Sequence, residues 1–154
     1  MTRQLLLVVW ILLSSHQVAA ADSQRLVVVV AKSSPITNIS RLDLKRSFLG
    51  DAIVIGAIRL APFNAEPNSN ERAGFDLTVL GMTTDQSGRF WVDRKVRGQG
   101  TAPRAIPAIH LVKVVAKFPG AISYVRIDQL TADVRPVKID GIAHTDPRYS
   151  IATR

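Results

Sequence analysis

The distribution of apolar residues divides the chain into a short leader and one domain-sized remainder. A basic start at Arg3 is followed by an unbroken apolar run over 5–13, and small residues at 18–21 precede Asp22. These three parts form the pattern of a cleavable export signal. The run is far shorter than the roughly 20 residues that span a membrane. We therefore expect residues 1–21 to be a signal peptide, and the mature protein to be periplasmic without inserting into the membrane.

Four short apolar runs predict strands. The clearest is the β-branched run RLVVVVA, whose continuous apolar character is typical of a strand buried on both faces. In a second run Pro62 indicates a strand end or the edge of a sheet, because proline cannot donate to a ladder. The predicted strands are 25–31, 58–63, 121–125 and 134–139.

Helical spacing and capping residues predict four helices between these strands. Ser40 and Gly50 bracket the first, and Thr83 with Thr84 precede the third. For the second, the spacing from Asn68 to Glu71 resembles a capping box. The predicted helices are 41–49, 69–80, 84–96 and 106–118, the last with a broad apolar face.

This alternation of strands and helices predicts an α/β domain with a mixed or parallel sheet covered by helices. The 133 residues after the signal suffice for one domain with its own core, and the chain has no cysteine to form disulfides. We expect the domain to occupy 22–140. The segment 141–154 is expected to be a flexible C-terminal tail.

The chain is strongly basic. Loss of Arg3 with the signal leaves 19 basic and 12 acidic residues, a formal net charge of +7. Such a surplus favours anionic partners in general, among them phosphate, lipopolysaccharide and nucleic acid. Nucleic acid is not expected, because the basic stretch over 89–104 carries Trp91 as its main stacking candidate, where single-strand binders interleave several aromatic residues.

The residues needed for catalysis are scarce. After the signal the histidines are His110 and His144, and neither lies in a nucleophile motif. The two glutamates, Glu66 and Glu71, flank a turn, and the aspartates lie at helix starts and turns, where capping explains them. His144 with Asp146 is too small a set for a metal site. We predict a protein without enzymatic activity, metal or cofactor.

A turn of polar residues leads into the second predicted helix and provides the best candidate binding site. The N-terminus of a helix favours anions, because its first N–H groups are unpaired and its dipole is positive there. Ser69 and Asn70 supply neutral donors near this N-terminus, and Arg72 supplies a positive charge. The candidate ligand-binding residues are Asn64, Asn68, Ser69, Asn70 and Arg72.

Three segments resemble the phosphate ABC-transporter substrate-binding proteins and their short, half-length relatives. They are 42–50 (LDLKRSFLG), the strand, turn and helix over 58–80, and 118–125 (FPGAISYV), which resembles the PGAIGYV signature of that family. Within the turn, Ser69 matches the Ser-Gly-Thr run of the phosphate binders. The resemblance extends from about 26 to 139.

The resemblance implies a single lobe of a type 2 periplasmic-binding-protein fold, with a mixed β-sheet flanked by helices. Two functions stay open. The first is non-catalytic binding of phosphate or another small anion in connection with phosphate transport. The second is a protein-interaction or sensing role in the cell envelope, with a membrane or envelope protein as partner and no small ligand.

Overall fold

The computed structural model of the protein describes residues 24–151 and residue 153, so the predicted signal peptide lies outside the described residues. The strands are β1 Leu26–Ala31, β2 Asn38–Ile39, β3 Val54–Ile55, β4 Ile58–Arg59, β5 Ala61–Pro62, β6 Ala121–Arg126, β7 Val134–Pro136 and β8 Lys138–Ile139. The α-helices are α1 Arg41–Phe48, α2 Asn70–Phe75, α3 Thr84–Val96 and α4 Ala108–Val115. A π-helical turn, Asp76–Leu80, continues α2, and a 3₁₀ turn, Ile127–Gln129, follows β6.

The main sheet is built around β1. All six of its residues are buried, as the continuous apolar run predicts, because β1 has neighbours on both sides. It pairs antiparallel with β6 and with β7, and β5 pairs parallel with β6, in the order β5, β6, β1, β7. Helix α4 packs against β6 and β1, and α2 packs against β6. The α/β class with a mixed sheet flanked by helices is confirmed.

Two of the four predicted strands are divided into shorter ones. The chain turns back at Gly56, between β3 and β4, so the first part of the segment 58–63 pairs with β3 in a small hairpin, and the second part, β5, joins the main sheet at its edge. The edge position suits Pro62, which has no N–H to donate. Likewise, the strand expected over 134–139 separates into β7, in the main sheet, and β8, which pairs with β2.

Short polar side chains cap the N-termini of α1, α2 and α3 by local hydrogen bonds. The Ser40 hydroxyl accepts from the Asp43 N–H before α1, and Thr83 forms a capping box with Gln86 before α3. The cap of α2 differs from the expected pair of Asn68 and Glu71. Ser69 caps this helix instead, because its hydroxyl accepts from the Arg72 N–H.

Three aromatic rings in mutual contact connect the helices to the sheet. Tyr124 on β6 stacks on Phe75 of α2 at 3.8 Å between ring centroids, and Phe48 of α1 lies 4.6 Å from Phe75. All three side chains are essentially inaccessible to solvent. Tight aromatic contacts of this kind contribute large buried area and a preferred ring geometry. They therefore hold α1 and α2 in a defined position on one face of β6.

The C-terminal segment packs against the sheet, in contrast to the flexible tail expected over 141–154. The side chains of Tyr149 and Ile151 are 4% and 1% exposed. The Tyr149 hydroxyl accepts from the Val28 N–H at 3.0 Å and donates to the Val137 carbonyl at 3.2 Å. The Leu26 N–H donates to the Ile151 carbonyl. Burial of the phenol raises the pKa of Tyr149 to about 12.

A close backbone approach explains why a glycine precedes β6. A Cβ placed on Gly120 would lie 2.4 Å from the Arg59 carbonyl oxygen, which belongs to the backbone of β4. The Gly120 carbonyl in turn accepts from the Ala61 N–H at 2.8 Å. The parallel pairing of β5 with β6 therefore depends on the absence of a side chain at this position.

We expect Gly120→Ala to lower the free energy of unfolding by about 1–3 kcal/mol, the usual cost of overpacking, because the new methyl group meets backbone atoms. Urea denaturation of the purified protein measures this difference. The control is Gly88→Ala in α3, where a Cβ meets nothing within 4 Å. Equal stability of Gly120→Ala and the unmodified protein would contradict the close approach.

We expect Tyr149→Phe to lower the free energy of unfolding by about 1–3 kcal/mol, because it leaves the buried Val28 N–H without its acceptor. Arg148→Ala is the matched control, since Arg148 pairs with Asp146 on the surface and exposed pairs contribute about 1 kcal/mol or less. If both substitutions cost the same small amount, the C-terminal segment does not support the sheet as the hydrogen bonds indicate.

Candidate functional site

A cleft of about 220 Å³ opens between the start of α2, the middle of α3 and the loop before α4. Helix α3 contributes four residues, α2 with its π-helical turn two, and the loop three. Pro67, from the turn before α2, completes the lining. The lining residues are Pro67, Arg72, Asp76, Thr84, Ser87, Gly88, Trp91, Ala102, Pro103 and Ala105.

Arg72 provides the buried positive charge of the cleft. Its Nε donates to both carboxylate oxygens of Asp76, at 2.8 and 2.9 Å, and its Nη2 donates to the Ser87 hydroxyl at 3.3 Å. Both side chains of the ion pair are nearly inaccessible, at 9% and 1%. No described residue accepts a hydrogen bond from Nη1 of Arg72, which leaves that amino group for a ligand.

Asp76 offsets this charge at short range. Burial raises the pKa of its carboxyl above the ordinary 3.8, against the opposing effects of the Arg72 guanidinium and the Ser87 hydroxyl. One shared N–H from Nε reaches the two oxygens, so the pair lacks the two parallel bonds of the strongest arginine–carboxylate geometry. Burial therefore outweighs the attraction of Arg72 for the carboxylate. Where the carboxylate is ionised, it cancels the charge of Arg72, and the net charge that the pair presents to an anion is small.

Of the five residues predicted as a ligand site, only Arg72 lines the cleft. Asn68 and Asn70 are exposed on the turn. The Ser69 hydroxyl is engaged locally, because it accepts from the Arg72 N–H and donates to the Glu66 carbonyl at 2.8 Å. The turn therefore caps the helix and positions Arg72 one turn later.

Asn64 has a different position from the other four, because it lies in the core. It is 2% exposed, and its Oδ1 accepts from the Tyr124 hydroxyl at 3.3 Å. Its backbone bonds to the loop after α3, with N–H donating to the Arg104 carbonyl and C=O accepting from the Ile106 N–H. Asn64 thereby holds the 104–106 backbone, and with it the neighbouring loop residues that line the cleft.

Trp91 forms part of the cleft wall and is 8% exposed. Its six-membered ring faces the turn after α1, since a Cβ on Gly50 would lie 3.2 Å from Cη2. Phe90 meets the indole edge-on and Arg94 lies over it, 5.8 Å from the ring centroid. The indole Nε1 is buried and has no hydrogen-bond partner among the described residues. A buried donor of this kind costs about 1–3 kcal/mol, so Trp91 carries a polar group that the fold does not satisfy.

Sequence reasoning missed most of the lining. Asp76 lies four residues after Arg72, the spacing of an ion pair on one helix face. Thr84, Ser87 and Trp91 follow helical spacing along α3 and could have been read as one face. The three loop residues of the lining carry no such periodic signal, because their approach to α2 depends on the bonds of Asn64.

Among residues 24–151 and 153, no group of three or more histidine, cysteine, aspartate or glutamate residues could hold a metal ion. No helix in that part of the chain is long and apolar enough to cross a membrane.

Three solved structures resemble this fold. The first is a protein assigned as a phosphate ABC transporter substrate-binding protein from Clostridium perfringens, with phosphate bound: TM-score 0.64, 15% identity, 84% of this chain and 52% of that chain covered. The second is an ABC-type phosphate transport receptor from Vibrio cholerae, with a TM-score of 0.58 and 16% identity; the match covers 80% of this chain and 48% of that chain. The third is PstS from Borrelia burgdorferi, with a TM-score of 0.61 and 13% identity; the match covers 84% of this chain and 55% of that chain.

These likenesses confirm the fold that the sequence resemblance implies, and the chain spans about half the length of the structures that it matches. The sequence matches no protein-family model, and comparison with curated proteins gives no significant match.

The raised pKa of Asp76 predicts a pH-dependent stability. When the pKa of a carboxyl is higher in the folded protein than in the unfolded chain, the group contributes most to folding stability at pH below the unfolded pKa, here 3.8. This contribution is lost as the pH rises through the folded pKa. We therefore expect the stability difference between the protein and Asp76→Asn to narrow as pH rises from about 4 to 7. Urea denaturation at several pH values measures this difference.

The control for this series is Asp133→Asn, which removes an exposed carboxylate far from the cleft along the chain. Its stability difference should show no comparable narrowing. A difference for Asp76→Asn that widens with rising pH would mean that the attraction of Arg72 outweighs burial.

Proposed function

We propose that this protein is an exported, non-catalytic solute-binding domain related to phosphate transport, and that it binds phosphate or another small anion in the cleft beside Arg72. The observation that carries the proposal is a buried guanidinium with an unoccupied Nη1 group in the wall of a concave cleft. Arginine is well suited to such oxyanions, because its planar donors match their geometry.

The fold supports the same assignment. The first two of the three similar structures are described as phosphate transport proteins, one of them with phosphate bound. The net charge of the chain is positive, which raises the local concentration of anions. Export to the periplasm, expected from residues 1–21, would place the domain where such transport proteins meet their solutes.

The ion pair with Asp76 sets the expected strength of binding. Because the carboxylate lies within 3 Å of the guanidinium, it repels an entering dianion nearly as strongly as the arginine attracts it. We expect dissociation constants in the millimolar range, near 4 kcal/mol of binding free energy. Such a domain would release its anion readily.

A second function has one observation in its favour. Val92 and Val96, one turn apart on α3, are 65% and 82% exposed, and Val92 directly follows the cleft residue Trp91. Exposed apolar side chains next to a cleft are typical of a surface that meets another protein. An envelope or membrane protein could therefore dock here, in place of a small ligand.

Calorimetric titration of the exported, processed protein with phosphate tests the first function, and we expect saturable heat with a millimolar dissociation constant. Gly88→Leu should abolish it, since the new side chain extends from an exposed lining position with free space around its Cβ. Arg89→Leu, on the same helix but outside the lining, should keep it.

Loss of the heat in Arg89→Leu but not in Gly88→Leu would indicate non-specific ionic attraction, which a rise in salt would also remove. Absence of heat at millimolar phosphate from a folded protein would contradict the first function. The second function, docking of an envelope or membrane protein, is then tested by pull-down from envelope extract, with Val92→Asp as the negative control.

A further inference from the structure

Most of the cleft wall is apolar. Five lining residues present carbon surface: Pro67, Trp91, Ala102, Pro103 and Ala105. The polar lining groups that bond to one another, Arg72, Asp76 and Ser87, come from α2, its π-helical turn and α3. The cleft therefore has one polar cluster, and the turn before α2 and the loop before α4 add apolar surface beside it.

The volume of the cleft exceeds the needs of an inorganic anion. At about 30 Å³ for each water in the liquid, 220 Å³ corresponds to roughly seven waters. An anion of four oxygens around one atom would occupy a part of this space beside Arg72. It would leave the proline, alanine and tryptophan surfaces in contact with water, and their burial would contribute nothing to binding.

The electrostatics favour a singly charged head group over a dianion. Arg72 and Asp76 together carry no net charge, and the carboxylate lies 2.8 Å from Nε. A dianion at Nη1 would experience the attraction of Arg72 and the repulsion of Asp76 doubled alike, so its second charge gains little, while its desolvation costs more than that of a monoanion. The binding energy that the charges do not supply must then come from apolar contact.

We propose that the cleft selects a small organic monoanion: a singly protonated phosphonate or phosphate ester whose head group contacts Nη1 of Arg72 and whose apolar body packs against Trp91 and Pro103. This assignment rests on the proposed function of the same cleft, and it names the class of ligand.

The test compares probes that share a head group and differ in carbon content. The indole N–H resonance of Trp91, assigned with Trp91→Phe, is followed by NMR in the exported protein at about pH 6 during titration with inorganic phosphate, methylphosphonate and phenylphosphonate. We expect phenylphosphonate to bind at least about tenfold more tightly than methylphosphonate, because each buried methylene contributes about a fourfold gain. Phosphate should bind no more tightly than methylphosphonate.

Two variants locate the effect. Gly88→Leu should remove the response to phenylphosphonate, and Val92→Leu, which places the same leucine side chain on α3 outside the cleft lining, should preserve it. Retention of phenylphosphonate binding in Gly88→Leu would place the ligand elsewhere and overturn the proposal.

The remaining outcomes separate the two proposals. Equal affinities for phosphate and phenylphosphonate, both lost in Gly88→Leu, would support anion binding in the cleft and overturn the selection of an apolar body. Absence of any shift of the Trp91 resonance with all three probes would overturn the proposed function itself, together with the ligand class that rests on it.

Discussion

The side chain of Tyr124 joins the parts of the molecule on which the cleft depends. From the centre of β6 its ring stacks on Phe75 of α2, while its hydroxyl donates to Asn64 Oδ1 and accepts from the Ala65 N–H, both at 3.3 Å. Burial raises the pKa of this phenol, so it stays a neutral donor. One residue thus links the sheet, the helix that carries Arg72 and the turn that leads into it, and Asn64 extends the link to the loop before α4.

The cleft follows from this arrangement. Helix α2 is held by ring stacking, so Arg72 and Asp76 are fixed one turn apart beside α3. The turn before α2 is engaged in capping, with the Ser69 hydroxyl used twice. Polar groups that looked available in the sequence are therefore consumed by the fold, and the chemistry of the site moves to the ion pair, Ser87 and the indole of Trp91. A cleft with little net charge and apolar walls suits weak, selective binding better than tight capture of a dianion.

Several elements were predictable because their signals are local. β1 follows from an apolar run, α1 from Ser40 and Gly50, and α3 from the Thr83 cap. The glycine of the PGAISYV junction has a tertiary reason instead, because Gly120 must leave space for the Arg59 carbonyl on β4. By contrast, the C-terminal segment was expected to be flexible. Its polar composition gives no sign that Tyr149 reaches back to Val28, 121 residues earlier.

The sequence by itself determined the α/β class, the order of most elements and the scarcity of catalytic groups, since periodicity, capping and composition act over a few residues. It also singled out Arg72, although as a positive charge beside a helix N-terminus rather than as one member of an ion pair. Tertiary structure decided which side chains share the cleft, because residues 67, 72, 87 and 103 meet through packing between separate elements. It also decided the charge state that a ligand encounters. Burial and the partners of a carboxylate exist only once the helices have packed, and no spacing along the chain records them.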